Sequence, residues 1–332
     1  MRLHTLQYLR AFAALAVVYS HAVIQVEGYE KYLGHAGSFG VDIFFVISGF
    51  IMIYISKPTN TFGNFIMNRA RRVIPLYWFF TFAMAAILLV MPSVFKATQY
   101  DTMALIYSLA FIPQWSMVNP AEAWPIVAPG WSLNFEMYFY FVFALSLFFA
   151  EKYRVAFITL VISAVFIIAQ ILNDGESAAA FFFAKTMVFE FVLGMFLAVA
   201  WKRGFRLSSS ISWIVLVVAT GMLFLHLPIP RIFEFGVPSL LIVMACLFIN
   251  MKEWRLGVLL GDASYALYLS HIFVLGILRK VLPPILGDGQ MAAYLFVLIS
   301  IVVCTIASVF VHKYIDNWLL LQQRLPKFRK SA

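Results

Sequence analysis

Ten stretches of mostly apolar residues, each near the length of a membrane-crossing helix, constrain the fold of this chain more than any other feature. A helix needs about 20 such residues to cross the hydrocarbon core of a bilayer. We expect spans at residues 5–24, 39–55, 73–91, 131–149, 155–172, 181–201, 211–225, 235–250, 264–282 and 291–311. The predicted fold class is therefore an all-α integral membrane protein, a bundle of about ten transmembrane helices.

Composition supports a single membrane domain. Hydrophobic residues make up 63% of the chain and charged residues only 12%, which is far from a water-soluble composition. The stretches between predicted spans are mostly short, so we expect residues 1–332 to form one membrane domain with no separate soluble domain. The first apolar run is too long for a signal peptide, and no small-residue cleavage site follows it, so we expect it to be retained.

The basic residues predict the orientation. With an even number of spans both termini lie on one side, and 18 of the 24 Lys and Arg residues then fall on that side. The positive-inside rule places those residues, and both termini, in the cytoplasm. Membrane topology explains the formal net charge of +9, so we expect no nucleic-acid partner.

The first predicted span contains two ionisable residues, Arg10 and His21. Eleven residues are almost three helical turns, so both side chains lie on one helix face, roughly 16 Å apart along the axis. Ionisable groups inside a span are costly and by default indicate function. The alternative is an arginine that snorkels to the interface and a histidine bonded to a neighbour.

Two carboxylates are predicted at a depth similar to that of His21. Asp42 enters the second span from the outer side, and Glu136 lies about 8 Å below Trp131 in the fourth span. A carboxylate beside an imidazole fixes its tautomer and raises its basicity. We therefore expect Asp42 or Glu136 to orient His21, although Asp42 is equally suited to capping its helix.

Basic and polar residues of two further spans suggest a binding site for a phosphate-bearing ligand. Arginines bind phosphates through paired hydrogen bonds, and a neighbouring aromatic ring can stack on the ligand. The candidates on the cytoplasmic side are Arg69, Arg71, Arg72 and Tyr77. In the ninth span Ser264, Tyr268 and His271 share a helix face. The alternatives are a positive-inside anchor for the first set and interhelical hydrogen bonding for the second.

The longest connection, residues 92–129, is predicted on the outer side and resembles a lid or binding element. Its middle, residues 102–112, is too short to span and predicts an interfacial helix. From this connection and the start of the fourth span we expect Trp115, Trp124, Trp131 and Ser132 to bind substrate.

Three more polar or reactive residues fall inside predicted spans. Glu190 falls near the middle of the membrane and must find a partner or stay protonated. Cys246 and Cys304 lie within spans that offer no pattern for a disulfide or metal, so we expect both to pack as apolar residues and expect no metal cofactor.

Taken together, five of these stretches resemble the acyltransferase 3 family of bacterial membrane O-acyltransferases, close to its exopolysaccharide O-acetyltransferases. The matching segments are residues 10–21, 40–50, 71–77, 131–136 and 264–271. The resemblance implies a ten-helix bundle in the bacterial inner (cytoplasmic) membrane, with acetyl-CoA or another acyl-CoA as the donor. It implies a sugar hydroxyl outside the cytoplasm as the acceptor, on a glycan or lipid-linked oligosaccharide. Family members that carry an extra SGNH-type domain differ from the arrangement we expect here.

The resulting hypothesis makes His21 the general base for the acceptor hydroxyl, with Arg10 along the donor path. Transfer through an acyl-histidine intermediate is the second route. Two other classes of protein stay open at this stage. A proton-coupled transporter or flippase would predict paired broken helices in two halves, and a membrane scaffold would need none of the polar residues.

Overall fold

The computed structural model describes residues 4–34, 37–91, 100–225 and 227–322, and these segments contain helices and connecting turns but no strand. The longer helices are α1 (His4–Val23), α2 (Gly40–Ile55), α3 (Phe62–Val90), α4 (Thr102–Leu109), α5 (Trp131–Ser146), α6 (Glu151–Leu172), α7 (Phe189–Lys202), α8 (Ser209–Met222), α9 (Val237–Phe248), α10 (Arg255–Asp262), α11 (Ser264–Val281) and α12 (Gln290–Phe310).

Within the described residues, three helical segments are long and apolar enough to cross a membrane. They are Phe62–Val90, Glu151–Leu172 and Gln290–Leu321, the last continuing past α12. α10 and α11 together make a fourth candidate, bent by 66° between them. A helical membrane protein is therefore supported, while the count of ten spans and the side on which the termini lie stay predictions.

Most of the predicted spans coincide with a helix, but two differ in an informative way. α3 begins at Phe62, well before the predicted span 73–91, so the arginine cluster and Pro75 lie inside the helix. The predicted span 181–201 is broken: Ala178–Phe183 ends before a 3₁₀ turn at Thr186–Val188, and α7 follows. The break puts Glu190 in the first turn of α7.

The centre of the bundle is the pair α2 and α7, whose backbones touch. A Cβ added at Gly49 would collide with the backbone of Phe191, and one added at Gly194 would collide with the carbonyl of Val46. Small residues allow such approach in membrane bundles, where van der Waals packing is a main source of helix association. Phe45, Phe139 and Phe191 stack around this contact and close the core.

Packing around α1 brings distant parts of the chain together. α1 contacts α2, α10, α11 and α12, so helices from both ends of the sequence surround it. Ala13 and Ala14 are fully buried, and the carbonyl of Ala13 lies against Gly40 of α2. The alanines between Arg10 and His21 therefore keep the helix narrow, as the sequence suggested.

We expect Gly194→Val to prevent normal packing of α7 on α2, because its side chain would meet the Val46 backbone rather than a flexible group. A loss of at least about 1–3 kcal/mol is typical of such overpacking. The measurement is the thermal midpoint and size-exclusion profile of the purified protein in detergent. Gly221→Val on α8 is the matched control, because that position has open space around it; equal behaviour of the two variants would contradict the packing argument.

Candidate active site

A cavity of about 160 Å³ lies among α1, α2, α3, α5 and α11. It is smaller than the roughly 300–1,000 Å³ of a site that encloses a whole drug-sized ligand, so it accommodates only part of one. Its polar and ionisable lining consists of Arg10, Ser48, Arg69, Arg72, Ser132, Glu136, Tyr140, Ser264, Tyr265 and Tyr268. Residues more than two hundred positions apart in the sequence therefore share one cavity.

Three arginines give the cavity a cationic character. Arg69 and Arg72 project to the same side of α3 because they are one turn apart, and Arg10 faces them from α1. None of the three lies within ion-pair distance of a carboxylate in the described part of the chain. The Nε of Arg69 is buried without a hydrogen-bond acceptor. With one carboxylate against three guanidinium groups, the cavity carries more positive than negative groups and is suited to an anionic ligand.

Glu136 is that carboxylate, and its partners are hydroxyl groups. Ser48 Oγ donates to Glu136 Oε1 at 3.1 Å, and the hydroxyl of Tyr140, one turn further along α5, donates to the same oxygen. Glu136 lies close enough to Arg10 for their charges to interact. The expectation that Glu136 orients His21 is therefore wrong, because Glu136 belongs to the arginine cavity.

Tyr268 connects the cavity to a second polar site. Its ring lines the cavity, and its hydroxyl bonds to Ser132 Oγ at 2.7 Å and donates to the Pro129 carbonyl at 2.8 Å. On the other side of the same ring, the centre of the His271 ring is 6.2 Å away. The cavity and the histidines of α1 and α11 are thus neighbours.

The second site is a pair of histidines. His21 Nδ1 and His271 Nε2 are 3.0 Å apart, and the two rings are tilted by 36°. His271 is fully buried, whereas His21 keeps a partly exposed surface. No carboxylate among the described residues is hydrogen-bonded to either ring. The side-chain partner of His21 is another histidine, and the backbone carbonyl of Val17, one turn earlier in α1, also interacts with its ring.

Asp42 forms an ion pair with Arg231 and not with His21. Its two carboxyl oxygens accept from Nε and Nη2 of Arg231 at 3.1 and 2.6 Å, and its side chain has no exposed surface. The predicted contact between Asp42 and His21 is therefore wrong, because Arg231, six residues before α9, binds the carboxylate instead. Glu190 lies beside Asp42, and its oxygens have no hydrogen-bond donor within the described segments.

The family model described as "Acyltransferase domain" matches residues 3–312 of the chain, which include the arginine cavity and both histidines. The chain belongs to this acyltransferase family. The match confirms the resemblance drawn from the five sequence segments.

Relatives of this acyltransferase come from several bacteria. The exopolysaccharide production protein ExoZ of Rhizobium meliloti is 34% identical over 74% of this chain and 78% of its own length. The acyltransferase MdmB of Streptomyces mycarofaciens is 26% identical over 98% of this chain and 94% of its own length. A putative peptidoglycan O-acetyltransferase of Bacillus subtilis, YrhL, is 25% identical over 92% of this chain but only 53% of its own length. No solved structure matches the chain.

Several residues expected at the acyltransferase site lie outside it. Arg71 is exposed, because it lies on a different side of α3 from Arg69 and Arg72. Tyr77 is buried away from the cavity, where its hydroxyl donates to the Ser108 carbonyl at 3.1 Å. His271, expected beside a bound coenzyme, is instead bonded to His21. None of these three residues lines the cavity, whereas Ser264 and Tyr268 do. Which residues bind the donor stays a prediction.

The tryptophans also lie outside the cavity. Trp131 packs edge-on against Phe45 and Phe135. Trp115 donates to the Glu176 carbonyl at 2.8 Å, and neither of these two tryptophans lines the cavity. Trp124 is half-buried and does not line the cavity either. Of the four residues expected to bind substrate, only Ser132 lines the cavity. The predicted interfacial helix is present as α4, although part of the connection that carries it lies outside the described residues.

Two residues that bind the carboxylates of Asp42 and Glu136, Arg231 and Tyr140, were not predicted from the sequence. Arg231 looked like an isolated outer cation, and nothing local indicated that it binds Asp42. Tyr140 could have been found, because it follows Glu136 at the i, i+4 spacing that places both on one helix face. Both cysteines are free thiols, and Cys304 is fully buried.

We expect Arg231→Ala to destabilise this acyltransferase, because it leaves Asp42 buried without its cation. Breaking a buried pair on one side costs about 3–5 kcal/mol, and the partial exposure of the Arg231 side chain places the effect at the lower end of that range. The thermal midpoint in detergent measures it, with the fully exposed Arg71→Ala as the control. The double variant Asp42→Asn with Arg231→Ala should recover part of the loss; a double variant less stable than Arg231→Ala alone would argue against the pairing.

Proposed function

We propose that this acyltransferase moves an acyl group, usually acetyl, from acyl-CoA on the cytoplasmic side to a sugar hydroxyl on the far side of the bacterial inner membrane. The observation that carries the proposal is a cavity lined by three arginines that have no ion-pair partner among the described residues. Tyr268 connects this cavity to the His21–His271 pair. The arginine cavity suits an anionic donor, and the neighbouring histidine pair provides a group that can accept a proton.

The cavity fits the phosphate-bearing part of an acyl-CoA substrate. The guanidinium groups of Arg10, Arg69 and Arg72 can bind phosphate oxygens through paired, charge-assisted hydrogen bonds, and the unused Nε of Arg69 is one such donor. Because the cavity takes only part of a large ligand, we expect the nucleotide to lie at its mouth and the thin thiol arm to extend inward. With both termini in the cytoplasm, as predicted, this mouth faces the compartment that holds acyl-CoA.

The chemistry at the other end follows from an imidazole that is partly accessible. His21 removes the proton of the acceptor hydroxyl while that oxygen forms a bond to the thioester carbonyl carbon. The carbon–sulfur bond then breaks, and the departing thiolate takes the proton back from the imidazolium. The products are the O-acylated sugar and free coenzyme A, and His21 returns to its neutral form.

A covalent route uses the same residue differently. The imidazole itself attacks the thioester, coenzyme A leaves, and the acceptor hydroxyl then removes the acyl group from the nitrogen. Rapid-quench samples prepared with labelled acyl-CoA and no acceptor distinguish the two routes. Label retained by the protein supports the covalent route, and its absence supports direct transfer.

Relatives guide the choice of acceptor. The name of one connects it with exopolysaccharide production, and that of another with peptidoglycan O-acetylation. We therefore propose a hydroxyl of a cell-surface or exported polysaccharide, or of its lipid-linked precursor.

The direct test uses membranes from cells that express the chain, incubated with acetyl-CoA labelled in the acetyl group and with exopolysaccharide. We expect label to enter the polysaccharide and to be released by mild base, as an O-ester is. Membranes from a deletion strain provide the background. A transporter or flippase would leave the label on the donor, and that result would overturn the proposal.

A further inference from the structure

The two histidines form a hydrogen-bonded series that ends on a backbone carbonyl. His271 Nδ1 is 3.1 Å from the carbonyl oxygen of Leu267, one turn earlier in α11. His271 Nε2 is 3.0 Å from His21 Nδ1. The order of contacts is therefore carbonyl, first imidazole, second imidazole, and then the remaining nitrogen of His21.

The carbonyl fixes where the hydrogens lie. A carbonyl oxygen only accepts, so His271 Nδ1 must carry a hydrogen and donate it. A neutral imidazole has one N–H, which leaves His271 Nε2 as an acceptor. His21 Nδ1 must then donate to it, and the lone pair of His21 is left on Nε2.

The surroundings of His271 favour the neutral ring that this reasoning requires. His271 has no exposed surface, and the helices that hold it contribute the buried apolar side chains Leu267, Leu275 and Phe296. A charged imidazolium there would lack a carboxylate partner, since no described Asp or Glu is bonded to either ring. Burying such an uncompensated charge is costly, so the ring stays neutral.

We propose that His271 is a positioning residue that selects the tautomer of His21 in which Nε2 is free to accept a proton. This inference rests on the proposed function, in which His21 acts on the acceptor hydroxyl. His271 need not touch either substrate to do this. The role resembles that of the carboxylate that holds a catalytic histidine in other enzymes, but an imidazole backed by a carbonyl performs it here.

Further contacts hold the backbone that carries His271. His271 sits one turn beyond Tyr268, whose hydroxyl is held by Ser132 and the Pro129 carbonyl. The thiol of Cys304 approaches the backbone carbonyl of His271 at 3.9 Å, which helps to hold α12 against α11. These contacts limit the movement of α11 near His271 relative to its neighbours.

The test compares two substitutions of similar size. In His271→Gln the amide oxygen can accept from His21 Nδ1, whereas His271→Phe fills the space without an acceptor. We expect the Gln variant to keep kcat within about tenfold of the native value and the Phe variant to lose roughly 10²–10³-fold, in the range of a general-base contribution. The KM for acyl-CoA should stay within about twofold in both, since His271 is not expected to contact the donor.

Each contrary outcome has a distinct meaning. Equal losses in kcat for Gln and Phe would overturn the tautomer role, and a rise in KM for acyl-CoA with kcat unchanged would return His271 to donor binding. Thermal midpoints of both variants are compared first, to exclude a difference in folding.

A second measurement depends neither on activity nor on the two His271 variants. Nitrogen NMR of the native protein labelled with ¹⁵N-histidine reports which ring nitrogen carries hydrogen, and the spectrum of His21→Ala identifies the His21 signals. We expect a protonated Nδ1 and a bare Nε2 on His21. The opposite tautomer would overturn the inference even if acyl transfer is confirmed, and absence of transfer by the native protein would overturn the proposed function while leaving the tautomer measurement intact.

Discussion

His21→Ala is expected to reduce acyl transfer by about 10²–10⁴-fold while leaving the protein folded and acyl-CoA binding intact. The magnitude is that of a positioned general base, and it applies because the His21 imidazole keeps a partly exposed surface in the last turn of α1, at the opposite end of the helix from Arg10. The stability cost should be small, since His21 is partly exposed and the fully buried member of the pair is His271. The measurement is the O-acetyl content of the polysaccharide in a deletion strain complemented with the variant, together with transfer in isolated membranes.

His4→Ala is a suitable control, because His4 lies on the same helix but pairs with Glu253 at the opposite end, at 3.6 Å. We expect that variant to retain native transfer. Retention of full transfer by His21→Ala would end the proposal that an imidazole takes the acceptor proton, and would also remove the covalent route. If transfer is lost but label from acyl-CoA still accumulates on the protein, another residue carries the acyl group.

Removal of Arg69 or Arg72 is expected to raise the KM for acyl-CoA by about 10- to 150-fold each, the range given by a lost hydrogen bond to a charged group at about 1.5–3 kcal/mol. Both side chains line the cavity, and neither is neutralised by a described carboxylate. Lysine at either position should restore only part of the affinity, because it keeps the charge but not the paired donors. Steady-state kinetics with varied acyl-CoA measure the effect.

Arg71→Ala is the matched control for these variants. It removes the same charge from the same helix, but Arg71 is exposed and points away from the cavity. An anchoring role for the whole cluster predicts similar effects at all three positions on membrane insertion, whereas donor binding predicts effects at Arg69 and Arg72 only. A KM that rises equally for Arg71→Ala would therefore contradict the assignment of the cavity to the donor.

Much of the architecture was predictable from local patterns. The apolar runs and their ends predicted the positions of most helices, and helical spacing correctly grouped Ser264 with Tyr268. The predicted helix boundaries were wrong where a helix continues into a partly polar stretch. In α3 the chain is helical from Phe62, although the residues before the apolar run are not uniformly apolar. The boundaries were wrong again at residues 184–188, where an apolar run conceals a break.

The candidate site was less predictable, because equal depth in the membrane does not imply contact. His21, Asp42 and Glu136 were expected to meet, but the structure assigns them three different partners: His271, Arg231 and the hydroxyls of Ser48 and Tyr140. A helix has several faces, and small rotations about its axis decide which neighbour a side chain reaches. Sequence spacing specifies the face but not the neighbour.

The sequence alone determined that this chain is helical and strongly apolar, which residues carry charge inside that apolar setting, and to which family it belongs. Tertiary structure alone decided the partners, because His21 and His271 are separated by 250 positions and Asp42 and Arg231 by 189. Apolar periodicity acts within one helix, whereas these contacts depend on which helices lie side by side. Close approaches at small residues, such as Gly40 against Ala13 and Gly49 against Phe191, set that arrangement.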